Sequence, residues 1–483
     1  MSDAPHQHTP AATASMPKPV ERDPKMPRLA QSPGFVEHMK HGWSVPDRTP
    51  TVVPGIAPAA AAHRARLSRA FPGKRLVVSA GRAPVRANDS YYLFRPDSDF
   101  FWLTGCDAED AVLVLEPAGT GHDAVLYVPK PAYPGETDFH ADPVHGELWV
   151  GAAPDAPDWA AVVDIETRLL PAPELSSGTL LWGTVPHSGP AANLAAHPRS
   201  AVLGRTLSEL RMIKDEWEIA ELRLAVDHSV AGFEAVVREI PNAMAFGGER
   251  WLQGTFDRVA RTLGNGPGYS TIVGSGAHAP ILHWVRCDGP VRESEALLLD
   301  MGVENRSFYT ADVTRTVPTT GTFTEAQRRV HDLVEASHRA GLAAVGPGRP
   351  WSDFHVASME VIANGLHDWG LLPVSVDEAL SPDGQQHRRY LVCGVGHHLG
   401  LDVHDCAASS YAAYQGAELA TGMVLTVEPG LYFHAFDETV PPELRGIGVR
   451  LEDDVLVTAS GSEVLSDALP IDAAGIEAWM RGL

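Results

Sequence analysis

ALLLDMG, residues 296–302, runs four apolar residues into a carboxylate, and FYTADVTRTV, residues 308–317, follows close behind. Both stretches read as β-strands, rich in aliphatic, aromatic and β-branched side chains. Asp300 closes the first. Asp312 lies inside the second, where the two-residue repeat puts Thr310, Asp312 and Thr314 on one face. An ionised carboxylate is costly to bury unless a cation or water compensates it. Taken singly, Asp300 is explained as well by a solvated strand end, and Asp312 by an edge strand with a polar face.

The same texture recurs downstream. In LTVEPGLYF (425–433), Glu428 interrupts an apolar strand, Pro429 breaks its ladder and Gly430 lets the chain turn. In GVRLEDDVLV (448–457), strand alternation puts Arg450, Glu452 and Asp454 on one face, where the bland alternative is a surface Arg–Glu pair of little energetic worth. Between them in interest lies CGVGHHLGLDVHD (393–405). Gly394, Gly396 and Gly400 exclude an ordinary helix there, and His397, His398 and His404 crowd one short stretch. Together Asp300, Asp312, His397, Glu428 and Glu452 form an oxygen-rich donor set with one nitrogen. Such a set suits one or two divalent ions such as Mn²⁺ better than a sulfur-rich structural zinc. The chemistry it implies is hydrolysis.

Further out, Asp215 and Glu218 have the spacing of a capping box, and Ile219, Leu222, Val226, Val230, Phe233, Val237 and Ile240 recur at helical spacing up to Pro241. A second helix is expected from Thr324, with Gln327 three residues on and Phe323 as a staple, and a third from about Ser352 to His367. Upstream, LVVSAG from Leu76, FFWLTG (100–105), AVLVLEP (111–117) and AVLYVP (124–129) are expected to be strands of a helix-covered sheet closing near residue 200. Helices are expected within 34–48 and over 58–71, and residues 1 to about 33, with His6 and His8, are expected to form a mobile tail. The expected organisation is a 1–57 extension, a 58–204 α/β domain and a 205–483 α/β or α+β catalytic domain.

The 483 residues carry 38 basic and 61 acidic side chains, a formal charge of −23. That balance argues against nucleic-acid and anionic-membrane partners. The four cysteines form no CxxC pair, no stretch approaches the apolar length of a membrane span, and MSDAPHQHTPAATASMPKPV (1–20) has no apolar run of the kind a secretory signal carries. A cytoplasmic protein is expected. No HExxH or GxSxG motif occurs, which disfavours those hydrolase classes.

ILHW (281–284), LLLDMG with TADVTRT, GHHLGLDVHD, LTVEPGLY and GVRLEDD, together with DSDFFWLTGCDAEDAVLVLEP (97–117), resemble the aminopeptidase P family of proline-specific aminopeptidases with the pita-bread fold. The likeness runs over about residues 60–470. It implies a creatinase/prolidase-type first domain followed by a pita-bread metallopeptidase domain, and release of the N-terminal residue from peptides with proline second. It also implies a two-metal centre. Asp300 would bind one ion, His397 and Glu428 the other, and Asp312 and Glu452 both. A metal-bridging hydroxide would be the nucleophile, with Glu428 placed to move its proton. His283 and His404 would hold substrate and stabilise the oxyanion, and Arg450 would pair with the carboxylates. The implied ions are Mn²⁺, with Co²⁺ or Zn²⁺ as alternatives; the implied assembly is a homodimer or homotetramer, with Asp89 of NDSYY offered to a neighbouring cleft. There are departures from the family pattern. The segment between Asp300 and Asp312 is one residue longer than in many members, an addition expected to alter the turn between Glu304 and Tyr309 and not the ligands. Cys393 stands where histidine is frequent. The competing expectations are an Xaa-Pro dipeptidase with the same ligands, and a non-catalytic binding protein on the same fold. A methionine aminopeptidase is disfavoured because those enzymes resemble the second domain only.

Overall fold

The computed structural model describes Leu29 and residues 32–483; the expected tail with His6 and His8 otherwise lies outside the described residues. The described residues divide into two compact units, one that takes in residues 32–50 and 130–158, the other 51–129 and 159–483. In the smaller unit Arg48 forks onto both oxygens of the buried Glu147 and also donates to the carbonyl of Ala153. Trp43 meets Phe139 edge to face at 4.9 Å. The helix expected within 34–48 is confined to Pro33–His38. Gly42 with φ +86° and then Pro46 stop its extension.

The larger unit begins with helix Ile56–Ala70 and a mixed five-stranded sheet in the order Glu166–Leu169, Gly121–Val128, Val112–Ala118, Leu76–Ser79, Leu180–Gly183. Three of the four expected strands are in it. FFWLTG is not: Ser98–Thr104 is a helix. Asp97 caps it, accepting from the backbone N–H of Asp99 and Phe100, and Gly105 ends it at φ +67°. Its residues from Asp99 to Thr104 are all buried, so the run lacks the polar face that distinguishes a helix from a strand.

The C-terminal half is built from helix pairs laid on short antiparallel sheets. Helix Glu216–Arg238 starts at the expected Asp215–Glu218 capping box and packs with helix Gly248–Leu263. The pair covers the sheet Thr314–Pro318, Ala296–Asp300, Ile272–Ser275 through Phe233, Leu252, Phe256, Leu297, Leu299 and Val317. Helix Glu325–Ala344, with its Thr324–Gln327 capping box, packs with Ser352–Asp368 over the strand pair Gly430–Phe433 and Ile447–Arg450. A third sheet joins Val424–Val427, Asp453–Thr458 and Gly461–Val464.

Strand Ala296–Asp300 is buried on both faces. Leu297 and Leu299 enter one core and Leu298 the other. The two-residue repeat then gives Asp300 the side of Leu298. The companion stretch is shorter than its sequence suggests: regular strand covers Thr314–Pro318, while 308–313 is irregular apart from one bridge between Glu304 and Thr310. The turn requires this. Phe308 takes φ +64°, and a Cβ on Gly302 would lie 1.7 Å from the carbonyl oxygen of Ala311. The long apolar stretches around Glu428 and Glu452 also break at the acids, so that each acid stands at a junction between two strands.

Candidate metal centre

Asp300, Asp312, His397, Glu428 and Glu452 line one cavity of about 630 Å³, together with His283, His404, Arg450 and Cys393. One oxygen from each of Asp312 and Glu452 and one nitrogen of His397 lie within 4.8 Å of one another. His397 Nε2 is 3.3 Å from Asp312 Oδ2 and 3.6 Å from Glu428 Oε1. Its Nδ1 lies 3.0 Å from the carbonyl oxygen of His398, which commits Nδ1 as a donor and leaves Nε2 facing the acids. The ring of His404 stands edge to face on that of His397 at 4.3 Å.

Asp300, Glu452 and Glu428 are held from behind. Tyr269 donates its hydroxyl to Asp300 Oδ1 at 2.6 Å, and Arg450 donates to Oδ2. Thr314 donates to Glu452 Oε2 at 2.5 Å, and Thr426 to Glu428 Oε1 at 3.3 Å. The backbone N–H of Asp312 donates to Asp454 at 3.1 Å. Arg450 also reaches Thr314 Oγ1 at 3.1 Å and the Tyr432 hydroxyl at 3.0 Å, so its guanidinium ties three strands together.

Four carboxylates share this pocket with one arginine. Burial and the neighbouring acids raise Glu452 well above its ordinary range, and burial lifts Glu428 to about 7. Burial also outweighs Arg450 at Asp300 and raises it. Burial alone would lower His397, but Asp312 and Glu428 hold it up at about 9. The cluster is thus short of positive charge, and oxygen donors with one imidazole are the chemistry that hard divalent cations take. The residues fit a metal centre.

Of the other expected positions, His283, His404 and Arg450 lie in this cavity, and Asp89 was expected to serve a neighbouring one. Asp89 sits apart, exposed in the hairpin Val85–Ala87/Ser90–Tyr91. Tyr269, Thr314, Thr426 and Tyr432 are additional site residues. Thr314 had a signal, since it shares the strand repeat with Asp312; Tyr269 and Tyr432 have none in local sequence. Among the described residues a second donor group, His63, Asp215 and Glu218, is engaged internally: His63 with the Trp102 carbonyl and Asp215, Glu218 with Trp102 and Tyr309.

Short antiparallel sheets flanked by helix pairs, with an acidic one-histidine cluster opening into a cavity, define a metallohydrolase. Family models agree: residues 220–459 match "Metallopeptidase family M24" and residues 60–176 match "Aminopeptidase P, N-terminal domain". Xaa-Pro aminopeptidase 1 of Streptomyces coelicolor is 44% identical over 98% of both chains. Xaa-Pro aminopeptidase 2 of the same organism is 45% identical over 92% of this chain and 95% of the relative. Among solved structures, a variant of Escherichia coli aminopeptidase P superposes with a TM-score of 0.76 at 28% identity, covering 88% of this chain and 98% of that one. The chain belongs to metallopeptidase family M24 and, within it, to the Xaa-Pro aminopeptidases. Its fold is the mixed α/β aminopeptidase P arrangement, an N-terminal domain followed by a pita-bread domain.

Proposed function

We propose that this enzyme hydrolyses the bond before a proline at position two of a peptide and releases the N-terminal residue. The observation that carries the reading is the single cavity in which all five donors, His283 and His404 face one another beside an apolar wall of Ile272, Leu282, Val285 and Tyr432. The wall suits a proline ring, and the two exposed histidines suit the polar ends of a peptide. Asp300, Asp312, His397, Glu428 and Glu452 would hold the divalent ions. Mn²⁺ is the proposed ion, with Co²⁺ or Zn²⁺ as substitutes. When bound, the ions polarise a carbonyl and lower the pKa of water.

The remaining chemistry belongs to the chain. Water oxygen adds to the scissile carbonyl carbon. Glu428 takes the proton and returns it to the departing proline nitrogen as the C–N bond breaks. His404 and His283 donate to the carbonyl oxygen as it gains charge. Arg450, clamped between Asp300, Thr314 and Tyr432, holds the carboxylates in place. We further propose a domain boundary at Gly204, a 1–57 extension, a cytoplasmic homo-oligomer and no nucleic-acid or membrane partner. No helix among the described residues is long and apolar enough to cross a membrane.

Comparing turnover of Xaa-Pro with Xaa-Pro-Xaa tests the substrate. Cleavage of the tripeptide is expected; cleavage of the dipeptide alone would make the enzyme a dipeptidase instead.

A further inference from the structure

His397 and His404 are carried by one loop, and the far side of that loop is gripped by charges from elsewhere in the chain. Arg211 ends helix Ala201–Arg211 and is buried. Its Nη1 donates to Asp99 Oδ1 at 2.9 Å, and its Nη2 to Asp402 Oδ2 at 2.9 Å and to Asp405 Oδ1. Lys214, also buried, donates to the other Asp405 oxygen at 2.9 Å. Ser98 donates to Asp402 Oδ1 at 2.6 Å, and Arg95 donates to Ser98 and to the carbonyl of Leu401. The second oxygen of Asp99 accepts from Trp182 Nε1 at 2.8 Å. Ser98 and Asp99 belong to the helix Ser98–Thr104, outside the stretch that matches the metallopeptidase model.

The grip is transmitted to the site through backbone. The Asp405 N–H donates to the His398 carbonyl at 2.9 Å and closes the loop one residue from His397. The Thr310 N–H donates to the Gly400 carbonyl at 3.0 Å, two residues before Asp312. The closure leaves no room to adjust: a Cβ on Gly400 would lie 2.3 Å from Asp405 Oδ2. Burial alone would raise Asp405, but Arg211 and Lys214 hold its carboxyl well below the ordinary range, so the loop is pinned by an ionised group.

We propose that Arg211, acting through Asp402 and Asp405, is a positioning residue for His397 and His404, and that Asp99 and Ser98 make the geometry of the metal-bearing loop depend on the first domain. A buried ion network on its own is weak evidence even for stability. The distinguishing feature here is that its contacts with Leu401, Asp402 and Asp405 all fall on the loop that carries His397 and His404. This inference rests on the peptidase reading above.

The test uses the full-length, Mn²⁺-loaded protein with Asp99→Asn and Arg211→Lys, and with Ser98→Ala as a milder companion that removes one contact to Asp402. Each is compared with the parent and with Ile476→Val, a core change remote from the loop. The readouts are kcat and KM on an Xaa-Pro-Xaa peptide and amide hydrogen exchange over residues 395–406. The brace predicts that Asp99→Asn and Arg211→Lys lower kcat by roughly tenfold to a hundredfold with KM nearly unchanged. It also predicts faster exchange in 395–406, a weaker effect of the same sign in Ser98→Ala, and neither change in Ile476→Val. Parent-like kcat and loop exchange in Asp99→Asn and Ser98→Ala would overturn it, whatever happens to the melting temperature. The exchange readout needs no substrate. A parent that fails to cleave the peptide would count against the peptidase reading, and exchange would still decide the brace.

Discussion

At the scale of single residues, the site is defined by what stands behind each donor. His397 is useful because its Nδ1 is committed to the His398 carbonyl, and Glu452 because Thr314 fixes one of its oxygens. Substituting Asp312 or Glu452 by alanine is expected to lower metal content and to reduce turnover by roughly a thousandfold or more, since even groups that only orient ligands cost ten- to a hundredfold. Metal analysis and steady-state assay check this together; parent-like turnover in either variant would contradict the shared-ligand roles. His404→Ala is expected to keep its metal and lose kcat by about a hundredfold or more. Loss of metal in that variant would make His404 a ligand. The acids and histidines were legible in sequence because each carboxylate sits in apolar strand sequence, where an uncompensated charge is costly. Tyr269 and Tyr432 were not. They reach Asp300 and Arg450 only because separate segments of the chain meet: Tyr269 comes from the bend before Ile272–Ser275 and Tyr432 from Gly430–Phe433.

At the scale of elements, the capping boxes at Asp215–Glu218 and Thr324–Gln327 were readable because both partners lie within one turn. FFWLTG was misread because aromatic density favours a strand and total burial removes the periodicity that would correct it. The signal that survives is at its ends, Asp97 before the run and Gly105 after it. Asp97→Ala is therefore expected to destabilise the protein by about 1–2 kcal/mol, read as a shift in denaturation midpoint. No shift would mean that the helix is held by packing alone. The break at Glu428 was read from Pro429 and Gly430, whereas GVRLEDDVLV was read as one strand and breaks at Glu452. Nothing local announces the second break, which follows from the pairing of Glu452 with Thr314.

At the scale of the whole molecule, His63 on the first long helix meets Asp215 and Glu218 at the start of the catalytic half. Burial alone would lower its pKa, but hydrogen bonds to the two acids raise it to about 9 from 6.5. A raised folded-state pKa stabilises fully below the unfolded value and is lost as pH rises through the folded one. Stability is thus expected to fall by about 3 kcal/mol between pH 6.5 and 9 from this group. Denaturation curves of the parent and of His63→Gln should differ in slope across that window and not below it; equal slopes would remove the imidazolium from the account. The broad architecture was legible from the alternation of apolar runs and capped helices. The smaller unit was not, because residues 32–50 and 130–158 meet across a long gap in sequence and share no periodic signal.

The central claim is that the cavity holds catalytic metal. The measurement that tests it most directly is release of arginine from Arg-Pro-Pro by metal-stripped protein, with and without added Mn²⁺. The account predicts arginine only when metal is restored. Equal release by the metal-free protein, or none under either condition, would contradict it.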